Sequence, residues 1–106
     1  MATRTSETLA YDFDHAEAAL TRLLRVAASD THQSRRVADF LLAWWNGDEN
    51  GHFPIAHLFG VDTAIGMDVA TIIAFIAAHP GAVYADAFGR RDEMAMLAER
   101  WRGATL

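Results

Sequence analysis

The stretch "TAIGMDVATIIAFIAA", Thr63–Ala78, decides what kind of fold this chain can adopt. Ile65, Val69, Ile72 and Ile76 recur at three- and four-residue steps, with Ile73 beside them, which is the period of an α-helix. Ala70, Ala74 and Phe75 carry the apolar surface almost around the cylinder. A helix that is apolar on all sides belongs in a protein core or in a bilayer. Its longest apolar stretch, Val69 to Ala78, is interrupted by Thr71 and is far short of the ~20 residues a membrane requires. The expectation is therefore a central core helix, capped at its start by Asp62 and stopped by His79-Pro80-Gly81.

Working outward, the same period appears in three further places. From Asp14 to Ala28, Ala16, Leu20, Leu23, Leu24 and Ala27 form one face, and Asp14 with Glu17 has the spacing of a capping box. A second helix begins near Asp30 or Thr31, with Gln33 at the reciprocal capping position. Its stripe is Val37, Phe40, Leu41 and Trp44, and Asn46-Gly47 is expected to end it in a left-handed cap. A short helical turn starts with Pro54, and Val83 to Phe88 reads as irregular. The last helix spans about Arg90 to Arg102, with acids first and arginines last, as the helix dipole favours. The fold class is all-α: a compact bundle of four main helices plus a short helical turn. Residues 1–12 read as a flexible tail and 13–106 as one helical domain.

Composition narrows the chemistry. An apolar fraction of 52% suits a globular domain. The chain has no cysteine, hence no disulfide framework and no thiolate zinc site, which fits a reducing cytoplasm. Met1 to Ala10 lacks the apolar region of a signal peptide. All nine basic residues are arginine, and none lies between Arg36 and Arg90. That interval holds Asp39, Asp48, Glu49, Asp62, Asp68 and Asp86. So acidic a middle favours basic partners and repels phosphate backbones.

No catalytic pattern emerges. Ser6, Ser29 and Ser34 are not in a nucleophile-elbow setting, and the absence of lysine removes both Schiff-base and P-loop chemistry. Five histidines and 14 carboxylates leave acid–base chemistry open, without a pairing at site-like spacing. We read the chain as non-enzymatic and expect no cofactor. Asn46-Gly47-Asp48-Glu49-Asn50-Gly51 imitates the start of an EF-hand loop, but position 1 is a neutral Asn and position 12 is His57 instead of glutamate. A zinc site from Asp48, His52 and His57 is an alternative, although the five-residue His spacing does not place both rings on one helix face. The simpler reading is a polar turn, with no metal. "PIAHLFGVDTAIGMDV", Pro54–Val69, has the outline of a helix-turn-helix. Its second helix carries Asp62 and Asp68 and no arginine, so a DNA-binding regulator is kept only as the alternative reading.

The adjacent tryptophans cannot both face one core, because neighbours on a helix are about 100° apart. Trp44 continues the apolar stripe and is expected inside. Trp45 falls at the edge, beside Asp48 and Glu49, as either a flank residue under the following loop or an aromatic anchor ringed by acid.

"RRVADFLLAWWN" (35–46), "LFGVDTAI" (58–65) and "ERWR" (99–102) resemble a family of small uncharacterised helical proteins carried on proteobacterial mobile elements. The resemblance runs from Ala27 to Arg102 and carries over no site residues. It implies a mobile-element setting, in which small acidic proteins inhibit host defences, anti-CRISPR proteins among them; that step is analogy. The resulting expectation is a cytoplasmic protein-binding module that meets a basic, nucleic-acid-handling partner through Trp45, Asp39, Asp48, Glu49, Asp62 and Asp68. It binds neither nucleic acid directly nor membrane. The breadth of the Thr63–Ala78 face also leaves a homodimer open.

Overall fold

The computed structural model describes residues 12–103; the N-terminal tail expected at 1–12 lies outside that range, apart from Asp12. The chain runs α1 (Phe13–Ala27), α2 (His32–Trp45), a single turn α3 (Gly47–Asn50), a 3₁₀ turn (Ile55–Gly60), α4 (Thr63–Ala78), a second 3₁₀ turn (Ala85–Phe88) and α5 (Arg91–Arg102). Among the described residues there is no strand. The fold is an all-α bundle of four main helices, as the periodicity demands.

The core is built on α1. Ala16, Ala19, Leu20, Leu23 and Ala27 are fully buried, and Leu24 nearly so. The helix starts two residues before the expected capping box: Asp12 is the N-cap, and its carboxylate accepts the His15 backbone N–H at 3.2 Å. Packed against α1 are α2 on one side and α4 on another, while α5 lies on α2. Its last turn is also tied to the α1–α2 corner: the Trp101 indole donates to the Ala27 carbonyl at 3.1 Å, and Arg100 donates to the Ser29 carbonyl at 2.9 Å.

Thr31 caps α2 as expected, accepting the Ser34 N–H at 3.0 Å. Gln33 does not close that cap. It reaches 29 residues along the chain, accepting the Asp62 backbone N–H at 2.6 Å and donating to the Asp62 carboxylate at 3.3 Å. Asp62 stands at the N-cap of α4 but makes no capping bond of its own, because its carboxylate faces Gln33 instead.

Three further expectations are corrected. α4 has the boundaries the sequence predicts, yet it is not central: only Val69, Ile72 and Phe75 are buried, while Met67 and Ile73 stand exposed. The alanine-rich α1 takes the middle, since small side chains let α2 and α4 approach it on two sides. Trp44 is half-buried rather than fully inside, because its indole N–H must find an acceptor and does so in the Val83 carbonyl at 2.8 Å. The end of α2 is not a left-handed cap. Asn46 is a one-residue break with φ −149° and ψ 58°, after which Gly47 begins α3. α3 folds back along α2, so closely that a Cβ on Gly51 would come within 2.8 Å of the Ala43 Cα. Glycine is required there by proximity.

Candidate functional site: an acidic corner around Trp45

Four segments meet at the end of α2. Trp45 is half-buried, and its indole N–H donates to the Asp86 carboxylate at 2.9 Å. Asp86 stands on the Ala85–Phe88 turn, which Gly89 closes in the left-handed region at φ 74°. That turn is held from behind by aromatic packing. Phe88 stacks on Phe13 with ring centroids 4.3 Å apart, and Phe75 of α4 leans on Phe88 at 5.4 Å. Asp48 and Glu49 are exposed on α3, one residue beyond the break at Asn46. Among the described residues no cation forms an ion pair with Asp48, Glu49 or Asp86. Three carboxylates thus share one end of the bundle with a partly exposed aromatic ring held by one of them.

The other predicted contact residues are placed elsewhere. Asp39 is not a surface residue: it is buried, and its carboxylate is paired with Arg102 of α5. Arg102 also donates to the Asn50 carbonyl at 3.0 Å, so this ion pair props α3 against α2 and α5. Burying a lone carboxylate is prohibitively costly, so Asp39 is there to receive that guanidinium. Asp68 faces α1 and accepts both the Arg22 Nε and Nη2 hydrogens at 2.9 Å. The hydrogen bond to Asp68 raises the Arg22 pKa above its ordinary value, against a small desolvation, with the carboxylate charge adding to the rise. Asp62 is exposed and committed to Gln33. Of the six predicted residues, only Trp45, Asp48 and Glu49 converge.

Asp86 is the member of the corner that sequence reasoning counted only as charge. It lies 41 residues from Trp45, and no local pattern links the two. Among the described residues no group of three or more His, Asp or Glu side chains is placed to hold a metal ion, and His52 and His57 do not converge with Asp48. Ile55–Gly60 is a 3₁₀ turn, not an α-helix, so this stretch does not form the two-helix DNA-binding motif. No described helix is long and apolar enough to cross a membrane.

The geometry therefore defines a small four-helix protein with an acidic, tryptophan-centred corner. A model for a family of unknown function, DUF7673, matches residues 17–102, and the chain belongs to that family. No curated protein and no solved structure matches it.

Proposed function

We propose that this chain is a non-enzymatic protein-binding module whose acidic corner docks on a basic surface of a nucleic-acid-handling partner. The observation that carries this reading is the Trp45–Asp86 pair beside Asp48 and Glu49. A half-exposed tryptophan already hydrogen-bonded loses little conformational freedom on binding, and aromatic rings in such settings supply a large share of interface energy. Exposed carboxylates with no cation of their own steer a cationic surface and match arginine forks. Competition with nucleic acid follows, because the same arginines and lysines on the partner would otherwise hold phosphates. The resemblance to mobile-element proteins supplies a setting for such masking: inhibition of a host defence of the anti-CRISPR type.

The test is titration calorimetry with an arginine-rich RNA-binding peptide at low salt, alongside a gel shift with duplex DNA. The peptide is expected to bind, the D48R/E49R double variant to weaken binding at least tenfold, and DNA to migrate unretarded. A peptide affinity unchanged by the double reversal, or a clear DNA shift, would remove the reading.

A further inference from the structure

The solvent side of α4 is anomalous for a helix at the edge of a bundle. Opposite Val69, Ile72 and Phe75, the outer face presents Gly66, Met67, Ala70, Ile73, Ala74 and Ala77, with no charged group among them. The helix's one ionisable residue, Asp68, is turned toward α1 and tied to Arg22. A water-facing helix surface ordinarily carries charge. Here a strip ~18 Å long carries none.

Flanking the two ends of this strip are a projection and a hollow. At the N-terminal end Phe59 is 92% exposed. At the C-terminal end lies an apolar hollow of about 550 Å³ between α2, α4 and the 81–84 segment, its walls including Phe40, Trp44, Phe53, Ile73 and Tyr84. Both lie on the flank of α4 that faces α2: Arg36 of α2 rests against Gly60, next to Phe59, and donates to the His57 carbonyl at 3.5 Å.

From this arrangement we infer that α4 is the contact face of a two-fold homodimer. Two copies of α4 pack antiparallel, and Phe59 of each copy enters the Phe40–Trp44–Tyr84 hollow of the other. Three observations select a second copy of the chain over another occupant. The first is self-complementarity. A two-fold axis across the middle of α4 reverses its ends while keeping its flank, so each projection meets the other copy's hollow. Along the seam the spacing 66, 70, 73, 77 is that of knobs and holes, and Ile73 of one copy falls over Ala70 of the other. The second is charge. The protein carries a net −5, and two such chains tolerate close contact most easily where neither presents a charge. The third is area. Ile55, Phe59, Met67, Ile73 and Tyr84 are 68, 92, 61, 42 and 48% exposed. At ~200 Å² per large side chain they leave on the order of 600 Å² in water, before the alanines are added. A stable interface takes about 800 Å² from each partner.

The inference uses a surface separate from the acidic corner and does not depend on it. Sedimentation equilibrium of the full chain, from micromolar to several hundred micromolar, is expected to give twice the monomer mass at the upper end. A70E, at an exposed position, is expected to weaken self-association at least 100-fold while leaving the helical circular dichroism unchanged. F59A is expected to weaken it about tenfold. Because the chain has no cysteine, orientation can be read by cross-linking. A56C and A82C should form a disulfide dimer when mixed, and neither should do so alone. A monomer at every concentration, a dimer indifferent to A70E, or self-linking of A56C alone would each overturn the arrangement.

Discussion

The two ends of surface chemistry on this molecule differ in how their polar groups are handled. At the acidic corner, polar atoms are abundant and partly committed: Trp45 to Asp86, Asp39 to Arg102, and Asn50 to Arg102. Asp48 and Glu49 have no cation to pair with among the described residues, and Glu49 only accepts a long bond from the Asn46 amide at 3.5 Å. On the outer face of α4 the polar groups have been withdrawn: Asp68 is drawn inward by Arg22, and the Thr71 hydroxyl folds back onto the Met67 carbonyl at 3.0 Å. A corner with surplus charge discriminates partners by electrostatics and at long range. A face without charge recognises by shape and only on contact. The contrast teaches that net charge alone says little about how such a protein associates, because one surface uses it and the other avoids it.

The comparison can be broken most sharply at its structural support. R102A leaves the buried Asp39 carboxylate without its cation and removes a donor from Asn50; the expected cost is about 3 kcal/mol of stability. That corresponds to a melting-point fall of roughly 15 °C by calorimetry. Replacing both members of the pair with leucine should restore most of the loss, since what destabilises is the unpaired charge. The equivalent truncation at the exposed pair, R22A, should cost no more than ~1 kcal/mol, because water screens that bridge.

Salt separates the two surfaces next. Between 50 and 500 mM sodium chloride, peptide binding at the acidic corner should fall at least tenfold, as exposed charges are screened. Self-association through α4 should hold or tighten, as hydrophobic contact does when charge repulsion is reduced. Opposite signs of the two salt slopes, measured on one preparation, sharpen the distinction; equal slopes abolish it. A smaller effect is expected for W45F. The ring is kept and the N–H lost, so stability should fall by no more than about 1 kcal/mol, because water takes the place of the indole at the exposed Asp86 carboxylate. Peptide affinity should drop with it. The smallest is D48N/E49Q, which should change stability by no more than ~0.5 kcal/mol, since both side chains are exposed and Glu49 makes only one long bond, to Asn46.

The helices were legible because each obeys a local rule. α4 runs from Thr63 to Ala78 as its periodicity and the His79-Pro80 stop require. Thr31 caps α2 by a bond that spans three residues. Gln33 would be the reciprocal partner of a cap at Asp30, but with Thr31 as the cap that position falls on Ser34, and the Gln33 amide bonds Asp62 of the distant α4 instead. The candidate site was legible only in part. Trp45, Asp48 and Glu49 adjoin in the chain, so composition found them together. Asp39 and Asp68 look identical to them in a charge count, and only their position relative to Arg102 and Arg22 separates them.

By itself the sequence determined that the chain is helical, where each of the four main helices runs to within a turn, and that its middle carries acid without arginine. Those properties follow from periodicity, capping and composition, which act over a few residues. Only the tertiary structure decided which helix is central. α4 is the most apolar, but α1, with its alanines and leucines on a single stripe, has the slimmer profile that α2 and α4 can flank. That exchange has a physical reason. Hydrophobicity decides that a surface should be covered; shape decides whether its own chain can cover it. In α4 the chain covers one side, and the other is left to water.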